Sequence, residues 1–348
     1  MTDHTPPRLS VLDTVPVWQE SSAAVSLRHS LDLARHAERL GYTRFWVAEH
    51  HNTPSLATSA PAVLAGQVAA ATETIRVGSG AVLLPNHAPL TVAEQFGVLS
   101  SLYPGRIDLG IGRAAGTDAQ TARLLRGPRA AGPEEFGHQL AELMGYFASP
   151  TAGADVVAAI PKVSPGPPVW LLGSSANSAV SAARMGLPYA YAHVINPADC
   201  VPALRAYRDA FRPSPQLSEP YAILAAGVIV ADTGPEADRL GWSFAHGQLL
   251  SRIHRGTTLP RPDQTDAAEF SPAHRDFMRQ RLATQVYGDP DTVREQLTEL
   301  VRESAADEVM ALTMIWDHAA RVRSYELLAG LLDGARAEDA GMAVEGRG

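Results

Sequence analysis

The feature that most constrains this chain is an alternation. A short β-branched or aromatic run, a turn and an Ala/Leu-rich stretch at helical spacing recur along most of its 348 residues. Residues 9–13 read as a first strand. Leu27, Leu31, Ala34, Ala37 and Leu40 then follow a helical period, and Gly41 ends that helix. Further strands are predicted at 45–48, 75–84, 106–111, 169–172, 189–193, 221–231 and 308–315. Helices are predicted at 59–71, 90–102, 134–147, 175–185, 202–211, from near Pro235, and at 291–304 and 319–332. Strict βα alternation implies parallel strands joined by right-handed crossovers. Eight units point to a closed (β/α)8 barrel in one domain, 1–348, and no G-x-G-x-x-G follows the first strand to favour an open sheet. Two insertions interrupt the pattern, after strands four and seven. Residues 116–166 are irregular, and the Pro-, Thr- and Asp-rich 254–274 reads as a long loop of the kind that usually serves function. The small, charged tail at 335–348 is expected to fray.

Composition removes several classes of function. The formal net charge is −8 with no Lys/Arg-rich run, which argues against nucleic acid or an anionic membrane as partner. Cys200 is the one cysteine, so no disulfide staples the fold, and its apolar helical context predicts burial. Neither an apolar leader nor a run of about 20 apolar residues is present, and a cytoplasmic protein is expected.

In such a barrel, chemistry sits at the C-terminal ends of the strands. The second strand runs into Glu49-His50-His51-Asn52, where an imidazole beside a carboxylate can move a proton. Consecutive residues face opposite ways, so one functional histidine is expected and a shared metal is not. The third strand carries Gly78, Gly80 and Ala81, either for tight barrel packing or for the approach of a flat ring. The fourth runs into Gly110-Ile111-Gly112-Arg113, where a guanidinium beside small residues suits a phosphate. The fifth ends at Gly173-Ser174-Ser175-Ala176-Asn177-Ser178 as a helix opens, which is either an anion cradle or a plain serine cap. His193 and Asp317-His318 close the sixth and eighth strands, each a structural group or a ligand contact; Asp317 is also placed to cap the last helix.

In order and spacing, the runs 41–51, 74–85 and 103–113, then 169–188 and Gly288-Asp289-Pro290, resemble the bacterial luciferase-like monooxygenase family. The resemblance covers nearly the whole chain apart from 116–166 and 254–274. It implies a barrel binding FMN at the strand ends, usually as a homodimer. It implies that His50 is the catalytic histidine with Glu49 as its neighbour. It also implies a non-prolyl cis peptide at Gly80-Ala81 under the isoalloxazine, and phosphate contacts from Arg113, Ser174, Ser175 and Ser178. Gly112 stands where the light-emitting members carry a cysteine, and Ser174 where they carry an acid. Both departures favour a general monooxygenase over a light emitter. The segment 314–328 is similar to bacterial oxidoreductases and to some oxygenases of antibiotic pathways.

The expected activity is oxidation of a small organic substrate by O2 and reduced FMN. No second nucleotide pattern is present for NAD(P)H, so a separate flavin reductase is the expected source of reduced flavin. The loop 254–274 is expected to close over the site. The nearest rival is an F420-dependent hydride-transfer enzyme, with Arg126 and Arg129 offered to that cofactor's acidic tail. A metal-dependent barrel hydrolase using His50, His193 and His318 is a further rival, as is a flavin carrier or heterodimer subunit without turnover.

Overall fold

The computed structural model of the chain describes residues 7–127, 132–148, 157–254 and 257–345. Eight apolar runs form the ring: β1 (Arg8–Asp13), β2 (Arg44–Val47), β3 (Arg76–Ser79) continued by β4 (Val82–Leu83), β5 (Ile107–Gly112), β6 (Val169–Gly173), β7 (Tyr189–Ala192), β8 (Ala222–Val230) and β10 (Glu308–Leu312). Every pairing is parallel, and β10 bonds both β8 and β1, so the sheet closes. The predicted (β/α)8 barrel is the observed fold. The short β9 (Val286–Gly288) adds to β8 outside the ring, pairing Val228 with Val286.

Alternation along each strand sorts the side chains into two layers. Val11, Phe45, Val47, Leu109 and Tyr189 pack outward beneath the helices. Leu12, Trp46, Trp170, Ala190, Ile223 and Met310 form a separate core within the ring. Beneath that inner core lies a buried ionic floor. Arg44 donates to Glu308 at 2.8 and 3.1 Å and to Asp108 at 2.8 Å, and stacks on the Trp170 ring at 4.6 Å. Tyr221 donates to Glu308 at 2.8 Å, and Ser10 also bonds that carboxylate.

Three expectations change. The third strand does not run unbroken through 75–84, because the cis peptide Gly80–Ala81 divides β3 from β4. The insertion after β5 holds a second helix, α4 (Ala119–Arg126), before α5 (Pro133–Phe147). The stretch 254–274 is not one long loop: α8 (Gly234–Ile253) reaches its edge, and α9 (Pro262–Asp266) and the start of α10 (Pro272–Leu282) fall inside it. The prolines that suggested a loop open these helices, where the missing N–H costs nothing. The last helix, α12 (His318–Glu345), carries helical backbone through most of the predicted frayed tail, whose final residues 346–348 lie outside the described residues.

Candidate active site

After β2 the chain turns at the barrel mouth, where the His50 amide donates to Thr58 O at 2.8 Å. Thr58 is buried, and its hydroxyl lies 3.4 Å from His50 Nδ1, which leaves Nε2 for an occupant of the mouth. Burial pushes the His50 pKa down, with the Glu49 charge opposing and His51 adding to the effect. The ring is therefore neutral near pH 7. His50 lines a cavity of about 260 Å³ together with Thr14, Leu56, Phe244, Leu259 and Met314.

Glu49 does not orient His50. Its buried carboxylate accepts from the Leu83 amide at 2.9 Å and from Asn86 Nδ2 at 3.2 Å, and lies 2.8 Å from His51 Nε2 and 2.9 Å from His87 Nε2. Burial raises its pKa, yet the hydrogen bond and charge of His87, with His51 and the Leu83 amide, outweigh burial and hold the group ionised. Neighbours on an extended chain face opposite sides, so the pairing of Glu49 with His50 expected from the sequence is replaced by a clasp on the segment after β4. His87, missed in the sequence, is part of that clasp; nothing but a lone imidazole after Asn86 marked it.

Of the two roles left open by the sequence, the structure shows close barrel packing at the strand glycines. A Cβ on Gly78 would collide with the Asp108 carbonyl, and one on Gly110 with the Ser79 carbonyl, so barrel packing accounts for both. A Cβ on Gly80 would press within 2.8 Å of Leu12 and 3.2 Å of Trp46. Gly112 faces Leu83 at 3.1 Å and Ala81 at 3.3 Å in the same sense, which leaves little space for a cysteine there.

Beside them lies the anion cradle. Ser175 caps α6 (Ala176–Arg184), accepting from the Ser178 amide at 3.4 Å, and Ser178 Oγ donates to Ser175 O at 2.8 Å and lies 2.9 Å from Tyr189 OH. The β5–β6 register pairs Ile111 with Leu171, which carries Arg113 to the end of the strand beside Gly173-Ser174. The exposed Arg113 guanidinium and the Ser174 hydroxyl have no partner among the described residues. An unpaired cation and a free hydroxyl at neighbouring strand ends, with a helix N-terminus following the second, suit a phosphate-bearing group. Ser175 and Ser178 also satisfy one another, so the capping role is real alongside the cradle.

The remaining candidates separate. His318 stacks on His29 at 4.1 Å and holds Asp32 at 2.8 Å, and Asp317 caps α12 through the Ala320 amide at 2.8 Å. His29, Asp317 and His318 line a larger cavity of about 440 Å³ at the connections after β1 and β10, whose lining includes neither His50 nor the cradle residues. His193 is buried, its Nδ1 has no partner among the described residues, and burial lowers its pKa. Among the described residues no three metal-binding side chains converge, so His50, His193 and His318 do not form the cluster a metal hydrolase needs. Arg126 is tied to Asn86 Oδ1 at 3.3 Å, and Arg129 lies outside the described residues. Cys200 is buried at the start of α7 (Cys200–Ala210), its thiol pushed up to about 12 by burial. No helix among the described residues is long and apolar enough to cross a membrane.

The fold is a (β/α)8 barrel with a candidate site at its C-terminal mouth. The chain belongs to the luciferase-like monooxygenase family, whose model matches residues 8–308. It is 46% identical over 323 residues to the YvbT protein of Bacillus subtilis, covering 92% of this chain and 95% of that one. It is 44% identical over 335 residues to a luciferase-like monooxygenase of Escherichia coli K12, covering 94% and 97%. The crystal structure of apo-MsnO8 superposes with a TM-score of 0.87 at 40% identity, covering 94% and 99%.

Proposed function

We propose that this chain is an FMN-dependent monooxygenase that oxidises a small organic substrate with O2, reduced FMN being delivered by a separate flavin reductase to a homodimer. The reading is supported by the placement of Arg113 and Ser174 at the C-terminal ends of β5 and β6, on the same barrel mouth as the His50-lined cavity. Arg113, Ser174 and the N-terminus of α6 would hold the phosphate, and the backbone at Gly80-Ala81 would support the ring. When bound, reduced flavin supplies the electrons that activate O2.

The protein's own residues do the rest. Neutral His50, fixed at Nδ1 by Thr58, offers Nε2 to hydrogen-bond a reactive oxygen or to pass a proton at that atom. Leu56, Phe244, Leu259 and Met314 give the cavity apolar walls that would limit water beside a bound substrate. Leu259 is strapped across it, since its amide donates to Val17 O at 3.1 Å and its carbonyl accepts from Gln19 N at 2.8 Å. Among the described residues of the segment expected to act as a lid, Leu259 is the one that lines the His50 cavity.

The test is the reoxidation of reduced FMN by O2, followed by absorbance in rapid mixing, with the chain in excess. Enclosure predicts a return to oxidised flavin slowed at least about tenfold relative to free flavin. Identical traces with and without the chain would count against the proposal.

A further inference from the structure

The cavity beside His50 is chemically asymmetric. Its walls are apolar at Leu56, Ile229, Phe244, Leu312 and Met314, with neutral polar groups at Thr14, His50, Thr53 and Ser55 on the strand-end side and a charged polar end where α8 meets the end of α10. On α8, Phe244, Gln248 and Ser251 follow one another at helical spacing along the cavity, so one face passes from apolar to polar. At the polar end stands Arg281, in the last turn of α10.

Arg281 is the one permanent cation among the lining residues, and no Asp or Glu lines the cavity among the described residues. Its guanidinium is half-buried, and no described residue is bonded to it. The other arginines of α10 are engaged elsewhere: Arg279 donates to Asp276 at 3.1 Å and Arg275 to Phe270 O at 3.1 Å. A guanidinium partly removed from water gains most from a planar anion that takes two of its N–H groups together. Thr14 and His50 lie on the strand-end side of the same cavity.

We propose that Arg281 is a specificity residue, and that the substrate is a small amphiphilic organic acid. Its carboxylate is held by Arg281 with Gln248 and Ser251, and its apolar body extends past Phe244 and Met314 toward His50. The acid end stays at the helices, so the oxidised position is remote from the carboxylate. This inference rests on the cavity beside His50 being the substrate cavity of the proposed monooxygenase.

The test uses hexanoate and its uncharged counterpart hexanamide as probes, titrated calorimetrically into the purified chain without flavin. FMN is titrated separately into the same preparations. The wild-type chain should bind hexanoate at least about tenfold more tightly than hexanamide. Arg281→Gln should abolish that difference by weakening hexanoate alone, with hexanamide and FMN affinities each kept within about twofold. Retained hexanamide binding shows that the variant is folded, and Arg281→Lys should restore part of the preference. The proposal is overturned if the wild-type chain does not bind hexanoate or does not prefer it. It is also overturned if the preference survives Arg281→Gln, or if that change weakens FMN instead, which would assign the cation to the cofactor. Failure of the flavin reading would show in the FMN titration and leave the hexanoate comparison standing.

Discussion

Glu49 lies 2.9 and 3.0 Å from His87 Nε2 through its two carboxylate oxygens and 2.8 Å from His51 Nε2, so the carboxylate engages these two histidines and not the adjacent His50. A carboxylate only accepts, so both imidazoles present Nε2–H to it. Glu49 is thus a positioning residue that ties the end of β2 to the segment after β4. Glu49→Gln should cost roughly 1–3 kcal/mol in urea unfolding, because buried donors lose their charged acceptor. The folded fraction should still slow flavin reoxidation. Unchanged stability with loss of that effect would mean that the carboxylate acts on the reaction directly.

Arg113 provides the second prediction. If its unpaired guanidinium meets the phosphate, Arg113→Ala should weaken FMN about tenfold, the equivalent of about 1.4 kcal/mol, and leave riboflavin unaffected. Parallel fluorescence titrations of the two flavins check this. Equal losses for both would place the arginine away from the phosphate.

The ionic floor makes the third. Arg44 is buried and holds both Glu308 and Asp108, so Arg44→Met strands buried carboxylates. A loss of roughly 3–5 kcal/mol is expected in chemical denaturation. Asp108 keeps Arg76 at 3.0 Å, so Glu308 should account for most of the loss, and adding Glu308→Gln should recover part of it. A mild effect of the single change would contradict the buried network.

Much of this architecture was legible because each strand carries its own apolar run and each crossover its own helical period. The strand-end chemistry was legible in part. Arg113 and Ser174 follow the ends of neighbouring strands, because parallel register places β5 beside β6. The fate of Glu49 was not, because its partner His87 lies 38 residues away on a segment without a pattern. Pro262 and Pro272 misled in the same way: composition marks a proline as a breaker, but only its position in the helix shows that it starts one. Arg281 escaped notice because its cavity is assembled from α8, α10 and the ends of five strands, a proximity that no local spacing encodes.

Acid sensitivity is the fourth prediction. Burial lowers the pKa of His50, His193 and His246, against a value near 6.5 in the unfolded chain. The unfolded state therefore takes up protons first. The stability linked to these groups is fully present above about pH 6.5 and is lost as pH falls through the depressed folded values. The urea midpoint should fall between about pH 6.5 and 5, above the range in which carboxylates titrate. His193→Gln should flatten that slope, and a midpoint constant across the window would contradict the burial of these rings.

The most direct test of the central claim is an anaerobic equilibrium titration of the chain with reduced FMN, with reduced F420 run beside it, for the wild type and His50→Ala. The account predicts saturable binding of reduced FMN, in preference to F420. It predicts that His50→Ala keeps that affinity within about threefold while losing the slowed reoxidation by O2. Preference for F420, or failure to bind either cofactor, would contradict it.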